Sequence, residues 1–107
     1  MFVRIVEMNA KTGKGQELAR TINDQILTLL KNQPGFVDEL VLISPDNPDR
    51  GVAVSFWQSR EDAEKYNRET FSKVSELLRP ALEGAPQVRT FDVLTSTAHK
   101  IMPAKAA

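Results

Sequence analysis

The stretch Phe56-Trp57-Gln58-Ser59-Arg60-Glu61-Asp62-Ala63-Glu64 passes from the end of an apolar strand to the start of a helix with one or two residues between them. Ser59 supplies the side-chain oxygen that an N-cap offers to the free N–H groups of a first helical turn, and Asp62, three residues on, makes a loose capping box. Glu61 and Asp62 also place negative charge at the positive end of the helix dipole. Trp57, the only tryptophan of the chain, therefore stands at a strand–helix junction. An indole there either plugs the gap between sheet and helix or lines the mouth of a pocket.

Upstream of this junction, residues 52–57 read as a strand, preceded by a proline- and Asx-rich loop (44–51) that returns from another apolar strand at 36–43. Residues 2–8, rich in β-branched and aromatic side chains, make a first strand, and Lys11-Thr12-Gly13-Lys14-Gly15 a turn. That turn lacks the Gly-x-x-x-x-Gly-Lys-Ser/Thr spacing of a phosphate-wrapping loop. From 16 to 31, Leu18, Ile22, Ile26, Leu29 and Leu30 recur every three or four positions, one stripe of an amphipathic helix that Pro34-Gly35 ends. A second helical region runs from Ser59 to about Leu82, with a break expected near Asn67 where the apolar spacing slips, and Gly84-Ala85-Pro86 stops it. Residues 88–94 make a last strand.

The order strand, helix, strand, strand, helix, strand is the split βαβ, or ferredoxin-like, arrangement: an α+β fold with a four-stranded antiparallel sheet. One domain is expected over residues 1–97, with an arm or tail at 98–107. Both helices of such a fold cover one face of the sheet, so the other face should turn polar in a monomer. It does not. Strand two sets Phe36, Leu40 and Leu42 against Val37, Val41 and Ile43, and strand three sets Val52, Val54 and Phe56 against Ala53, Ser55 and Trp57. The economical cover is a second copy packed sheet to sheet as a twofold homodimer; the alternative is that the tail folds back over its own sheet.

With 107 residues and 14 acidic against 14 basic side chains, the chain has neither the basic patch of a nucleic-acid binder nor an attraction to anionic membrane. The absence of cysteine removes thiolate metal sites, disulfides and thiol nucleophiles. No signal segment and no membrane-length apolar run is present, so a cytoplasmic protein is expected. His99, the single histidine, lies beyond the last strand and reads as a solvated side chain unless the arm carries it into a partner's pocket.

Pro34-Gly35-Phe36 at the start of strand two, strand three closing on Trp57, the helix start Ser59-Arg60-Glu61-Asp62-Ala63 and the late-helix pair Leu78-Arg79 resemble the antibiotic biosynthesis monooxygenase (ABM) domain family of the dimeric α+β barrels. The resemblance runs from Phe2 to about Leu94. It implies a cofactor-independent monooxygenase that oxidises a small aromatic, phenolic or quinol-like substrate with molecular oxygen, using neither metal nor flavin. The protein then supplies an apolar cavity, a proton acceptor or donor, and a positive group for developing anionic charge. Trp57 and Arg79 match the family's tryptophan and late-helix arginine. Ala53 and Ala63 stand where its oxidising members carry asparagine and tyrosine, and Tyr66, three residues beyond Ala63, is the substitute phenol. Trp57, Tyr66 and Arg79 are thus the catalytic candidates, and Phe56, Phe71 and Asn9 the substrate-binding ones. Arg79 beside Pro80 equally complements a helix dipole, and Phe71 with Val74 and Leu77 equally makes core. The haem-degrading branch is disfavoured, because Tyr66 stands where its second tryptophan belongs and the helix has no histidine to ligate iron. The two alanines support the rival reading, a non-catalytic binding or interaction module of the same fold.

Overall fold

The computed structural model describes residues 1–101. Strands β1 (Phe2–Asn9), β2 (Phe36–Ile43), β3 (Arg50–Trp57) and β4 (Gln87–Asp92) form one sheet in the order β2-β3-β1-β4, every neighbouring pair antiparallel. β3 is thus inserted between β1 and β2, which gives the split βαβ topology and the α+β class that the sequence implies. The expected arm at 98–107 lies mostly outside the described residues.

The first helical region opens as α1 (Gly15–Thr21), widens to a π-helical segment at Ile22–Ile26 and closes as α2 (Leu27–Lys31). Leu18, Ile22, Ile26 and Leu30 are all buried, at intervals of four residues. At 3.6 residues per turn each such step over-rotates an α-helix by about 40°. The wider π turn takes up that drift and keeps all four side chains over the sheet.

The second helical region breaks later than its spacing implies, at Thr70 rather than near Asn67, giving α3 (Arg60–Glu69) and α4 (Phe71–Leu78). Asn67 lies inside α3, and its side chain accepts a hydrogen bond from Arg4. Thr70 leaves the helical region at φ −128°, and its hydroxyl donates to Gln33 Oε1 at 3.2 Å. At the other end Ser59 caps α3 as read from sequence: its Oγ accepts from the Asp62 N–H at 3.1 Å and donates to Asp62 Oδ2 at 2.9 Å. Gly35, at φ +80°, packs against that Asp62 carboxylate, where a Cβ would collide, and its carbonyl accepts from the Gln58 N–H at 2.7 Å. Glycine is needed there for both conformation and space.

One face assignment differs from the strand alternation. The β2–β3 register shifts between Phe36 and Asp38, so Phe36 pairs with Trp57 while Asp38 pairs with Phe56. The bulge turns Phe36 onto the helix-covered face, where its ring meets the indole edge-on at 5.7 Å, and leaves Leu40 and Leu42 on the other face. That open face is partly roofed by the chain's own C-terminal segment. His99, expected as a solvated side chain, packs against Phe56 with ring centroids 5.1 Å apart and planes tilted by 41°, and brings Nε2 to 3.5 Å from Asp38 Oδ2. Leu40, Leu42 and Phe91 stay exposed beyond it.

Candidate functional site

A cavity lies between the sheet and the helices. Its floor is Arg4, Val6 and Met8 of β1, Glu39 of β2, and Ala53 and Ser55 of β3. Its roof is Ile22, Ile26 and Leu30 of the first helical region with Tyr66, Phe71, Val74 and Leu78 of the second. The floor residues share a face because side chains alternate along a strand, and Glu39 stands across from Ser55 in the register. The π-helical segment overhangs the cavity, a distortion that recurs beside functional sites. The free space is about 30 Å³, room for a water molecule or two. On the far side of Arg4 an open groove of about 240 Å³ runs between α3 and β4, bordered by Arg60, Asn67 and Thr90. Arg4 is the wall the two spaces share.

Arg4 is only 3% exposed. Its Nη2 donates to Asn67 Oδ1 at 3.0 Å, and its guanidinium carbon lies 5.0 Å from the Tyr66 ring centroid and 4.5 Å from that of Phe71. Burial lowers its pKa and Tyr66 opposes the shift, yet a guanidinium keeps its charge throughout the physiological range. Among the described residues it forms no ion pair with a carboxylate. Taking a charge out of water without a counter-ion is costly, and two π-faces, one amide oxygen and the neighbouring neutral Tyr66 hydroxyl are modest compensation.

Burial pushes the Glu39 carboxyl up to about 7, and the neighbouring Asp38 charge adds to the shift. Its backbone N–H donates to Asp38 Oδ1 at 2.8 Å. Its own carboxyl oxygens have no hydrogen-bond or ion-pair partner among the described residues. Tyr66 goes the other way from a base: burial raises its phenol to about 12, Glu39 adds to this, and Arg4 opposes it. At neutral pH Tyr66 is a neutral O–H.

Trp57 is fully buried, and its free edge does not reach the cavity. Its Nε1 donates to Ser55 Oγ at 2.9 Å, and its ring lies 4.9 Å from that of Tyr66. Of the two roles open to the indole, the structure gives it the plug: it stands behind two cavity residues. Tyr66 and Phe71, 6.1 Å apart, both line the free space. Besides Trp57, three candidates do not. Phe56 points to the opposite face under His99. Asn9 is exposed at the far end of β1, where its carbonyl accepts from the Glu83 N–H. Arg79 is exposed and pairs with Glu76 one turn earlier at 2.7 Å, so it does not supply a cationic contact to the cavity. The cation that does reach it, Arg4, and the carboxyl opposite, Glu39, were not singled out from sequence. Their signal was there: each interrupts the inward-facing row of its strand, Arg4 between Phe2 and Val6 and Glu39 ahead of Val41. No group of three or more His, Asp or Glu converges on a metal position among the described residues.

A family profile described as "Antibiotic biosynthesis monooxygenase" matches residues 1–73. No curated protein matches the chain. Among solved structures, SnoaB from Streptomyces nogalater, a cofactor-independent oxygenase in mutant form, is similar at 16% identity and TM-score 0.77, over 92% of this chain and 97% of that one. A monooxygenase from the gene ActVA-Orf6 of Streptomyces coelicolor, in complex with nanaomycin D, matches at 19% identity and TM-score 0.75, over 96% and 92%. A protein of unknown function from Nitrosomonas europaea matches at 16% identity and TM-score 0.74, over 97% and 95%. At these identities the likeness is one of fold.

Proposed function

Because the chain belongs to the antibiotic biosynthesis monooxygenase family, we propose that it oxidises a small phenolic or quinol-like aromatic molecule with molecular oxygen, without metal or flavin. The observation that carries this reading is Arg4: a buried cation between two aromatic rings, bordering an apolar cavity and lacking a carboxylate. A phenolate oxygen at that guanidinium would supply the missing countercharge as the ring lies among Tyr66, Phe71 and Val74. Deprotonation makes the ring electron-rich enough to reduce oxygen. In the balanced reaction a phenol such as 1-naphthol and one O₂ give the quinone and one water, the substrate losing four electrons and oxygen gaining four. One oxygen atom ends as the new carbonyl and the other leaves as water.

The free space of about 30 Å³ is smaller than an aromatic ring, so admission requires the cavity to open. Met8, unbranched and adaptable, is suited to that. A small ring system fits this site better than a long polycycle. The exposed Leu40, Leu42 and Phe91 support a sheet-to-sheet homodimer, and the cysteine-free composition suits the cytoplasm. Residues 1–97 would then be the working domain.

The second reading, a non-catalytic binding module, is favoured by the complete burial of Trp57, which completes the core whether or not chemistry occurs. Oxygen uptake measured with 1-naphthol separates the two. Consumption of one O₂ per naphthoquinone formed supports the oxygenase. Quenching of Trp57 fluorescence by 1-naphthol with no uptake identifies a binding module.

A further inference from the structure

We propose that Glu39 is the group that accepts the substrate's hydroxyl proton, acting across the cavity from Arg4; this rests on the monooxygenase reading above. Three observations converge on it. Glu39 lines the same cavity as Arg4 and Tyr66. Its carboxyl oxygens have no partner among the described residues, so they are free to accept a proton. Among the described residues it is the sole carboxylate on the cavity's lining.

The titratable and charged groups facing Glu39 are few. Asp38 precedes it on β2, Arg4 comes from β1 and Tyr66 from α3. His99 reaches only Asp38, on the other face of the sheet. β3 presents Ser55 and Ala53, and the remaining helical residues over the cavity are apolar. Tyr66 cannot take the proton near neutral pH, since its phenol is held protonated to about 12. Glu39, poised at about 7, is balanced between its two forms at the pH where it would work, which is where a general base is most effective.

The step is a single proton transfer. The substrate O–H bond breaks, the proton passes to a Glu39 carboxyl oxygen, and the electron pair stays on the phenolate oxygen facing the Arg4 guanidinium. The pair of groups thereby changes from carboxylate plus phenol to carboxylic acid plus phenolate, with no change in total charge. Oxygen then reacts with the phenolate, and Glu39 returns its proton to the water formed or to solvent.

The test is the pH profile of kcat/KM for oxygen uptake with 1-naphthol, in the wild type and in Glu39→Gln and Asp38→Asn. The wild type should show a limb rising through about pH 7. Glu39→Gln should lose that limb and about 100-fold or more in kcat, the usual worth of a general base, with KM little altered. Asp38→Asn removes the neighbouring charge that lifts Glu39, so it should keep the limb and move it to lower pH. A Glu39→Gln variant that folds normally by its thermal melt yet retains the limb overturns the role of Glu39 and leaves the oxygenase reading standing. No oxygen uptake by the wild type overturns the oxygenase reading, and this role with it.

Discussion

Trp57 Nε1 donates a 2.9 Å hydrogen bond to Ser55 Oγ, two residues earlier on the same strand and the same face. The bond satisfies the one polar atom of an indole with no exposed surface, and it fixes a serine that lines the cavity. The indole also backs the Tyr66 ring. Trp57 therefore acts on the site through Ser55 and Tyr66, as a positioning residue.

Trp57→Phe should lower stability by roughly 1–2 kcal/mol, from lost packing and from the serine hydroxyl left without its donor. Oxygen uptake with 1-naphthol should fall only in part, since Arg4 and Glu39 remain. Thermal melts and uptake on the same preparation check both statements. An unchanged melting temperature would show that the indole is not the core element its burial implies.

Arg4 and Arg79 should separate cleanly. Exchanging a buried charge for an apolar chain of similar length is often neutral or stabilising, so Arg4→Met should keep or raise the melting temperature. It should also lose about 100-fold in kcat/KM, the cost of removing one pre-positioned electrostatic contact. Arg79→Ala removes an exposed pair with Glu76, worth about 0.5 kcal/mol or less, and should leave uptake unchanged. Loss of uptake in Arg79→Ala with Arg4→Met active would reverse the assignment.

The contrast between those arginines shows what sequence conveyed. Element order, the Ser59 cap and the burial of Leu18, Ile22, Ile26 and Leu30 follow from local rules of periodicity and capping, and those are legible along the chain. The Val37 bulge is not, because the register between β2 and β3 is set by cross-strand packing of Phe36 on Trp57. One inserted residue reverses which face every earlier side chain takes. Arg79 matched the family's pattern by position, but a late-helix position does not say whether a side chain turns inward. Arg4 was visible as a charge in an apolar strand. That it lies between Tyr66 and Phe71 depends on how α3 and α4 settle over β1, which no local pattern states.

Glu39 should leave a mark on stability as well as on activity. Its carboxyl titrates at about 7 in the folded chain against 4.5 for an ordinary glutamate, so the folded state holds this proton more tightly than the unfolded state does. The contribution is fully present below pH 4.5 and is lost as pH rises through 7. Glu39→Gln cannot ionise. Its melting temperature relative to wild type should therefore increase from pH 5 to about pH 7 and level off above it, and a difference independent of pH would place Glu39 in water rather than at the cavity.

The open face supplies the last prediction. The C-terminal segment covers Phe56 and Asp38 through His99, but Leu40 and Leu42 on β2 and Phe91 on β4 stay 46%, 51% and 53% exposed. These side chains lie toward the two edges of a sheet whose middle, Ile5 and Val54, is already half-buried. A second sheet laid face to face would bury all of them, each large apolar side chain being worth about 1.5–3 kcal/mol when fully removed from water. The wild type should then sediment at twice the monomer mass, with a melting temperature that rises with protein concentration. Leu42→Lys would carry an unpaired charge into that contact, which costs more than the lost apolar area alone. The variant should sediment as a monomer and melt at a temperature independent of concentration. Wild-type protein that sediments as a monomer at micromolar concentration would refute the sheet-to-sheet pairing and leave the C-terminal segment as the open face's cover.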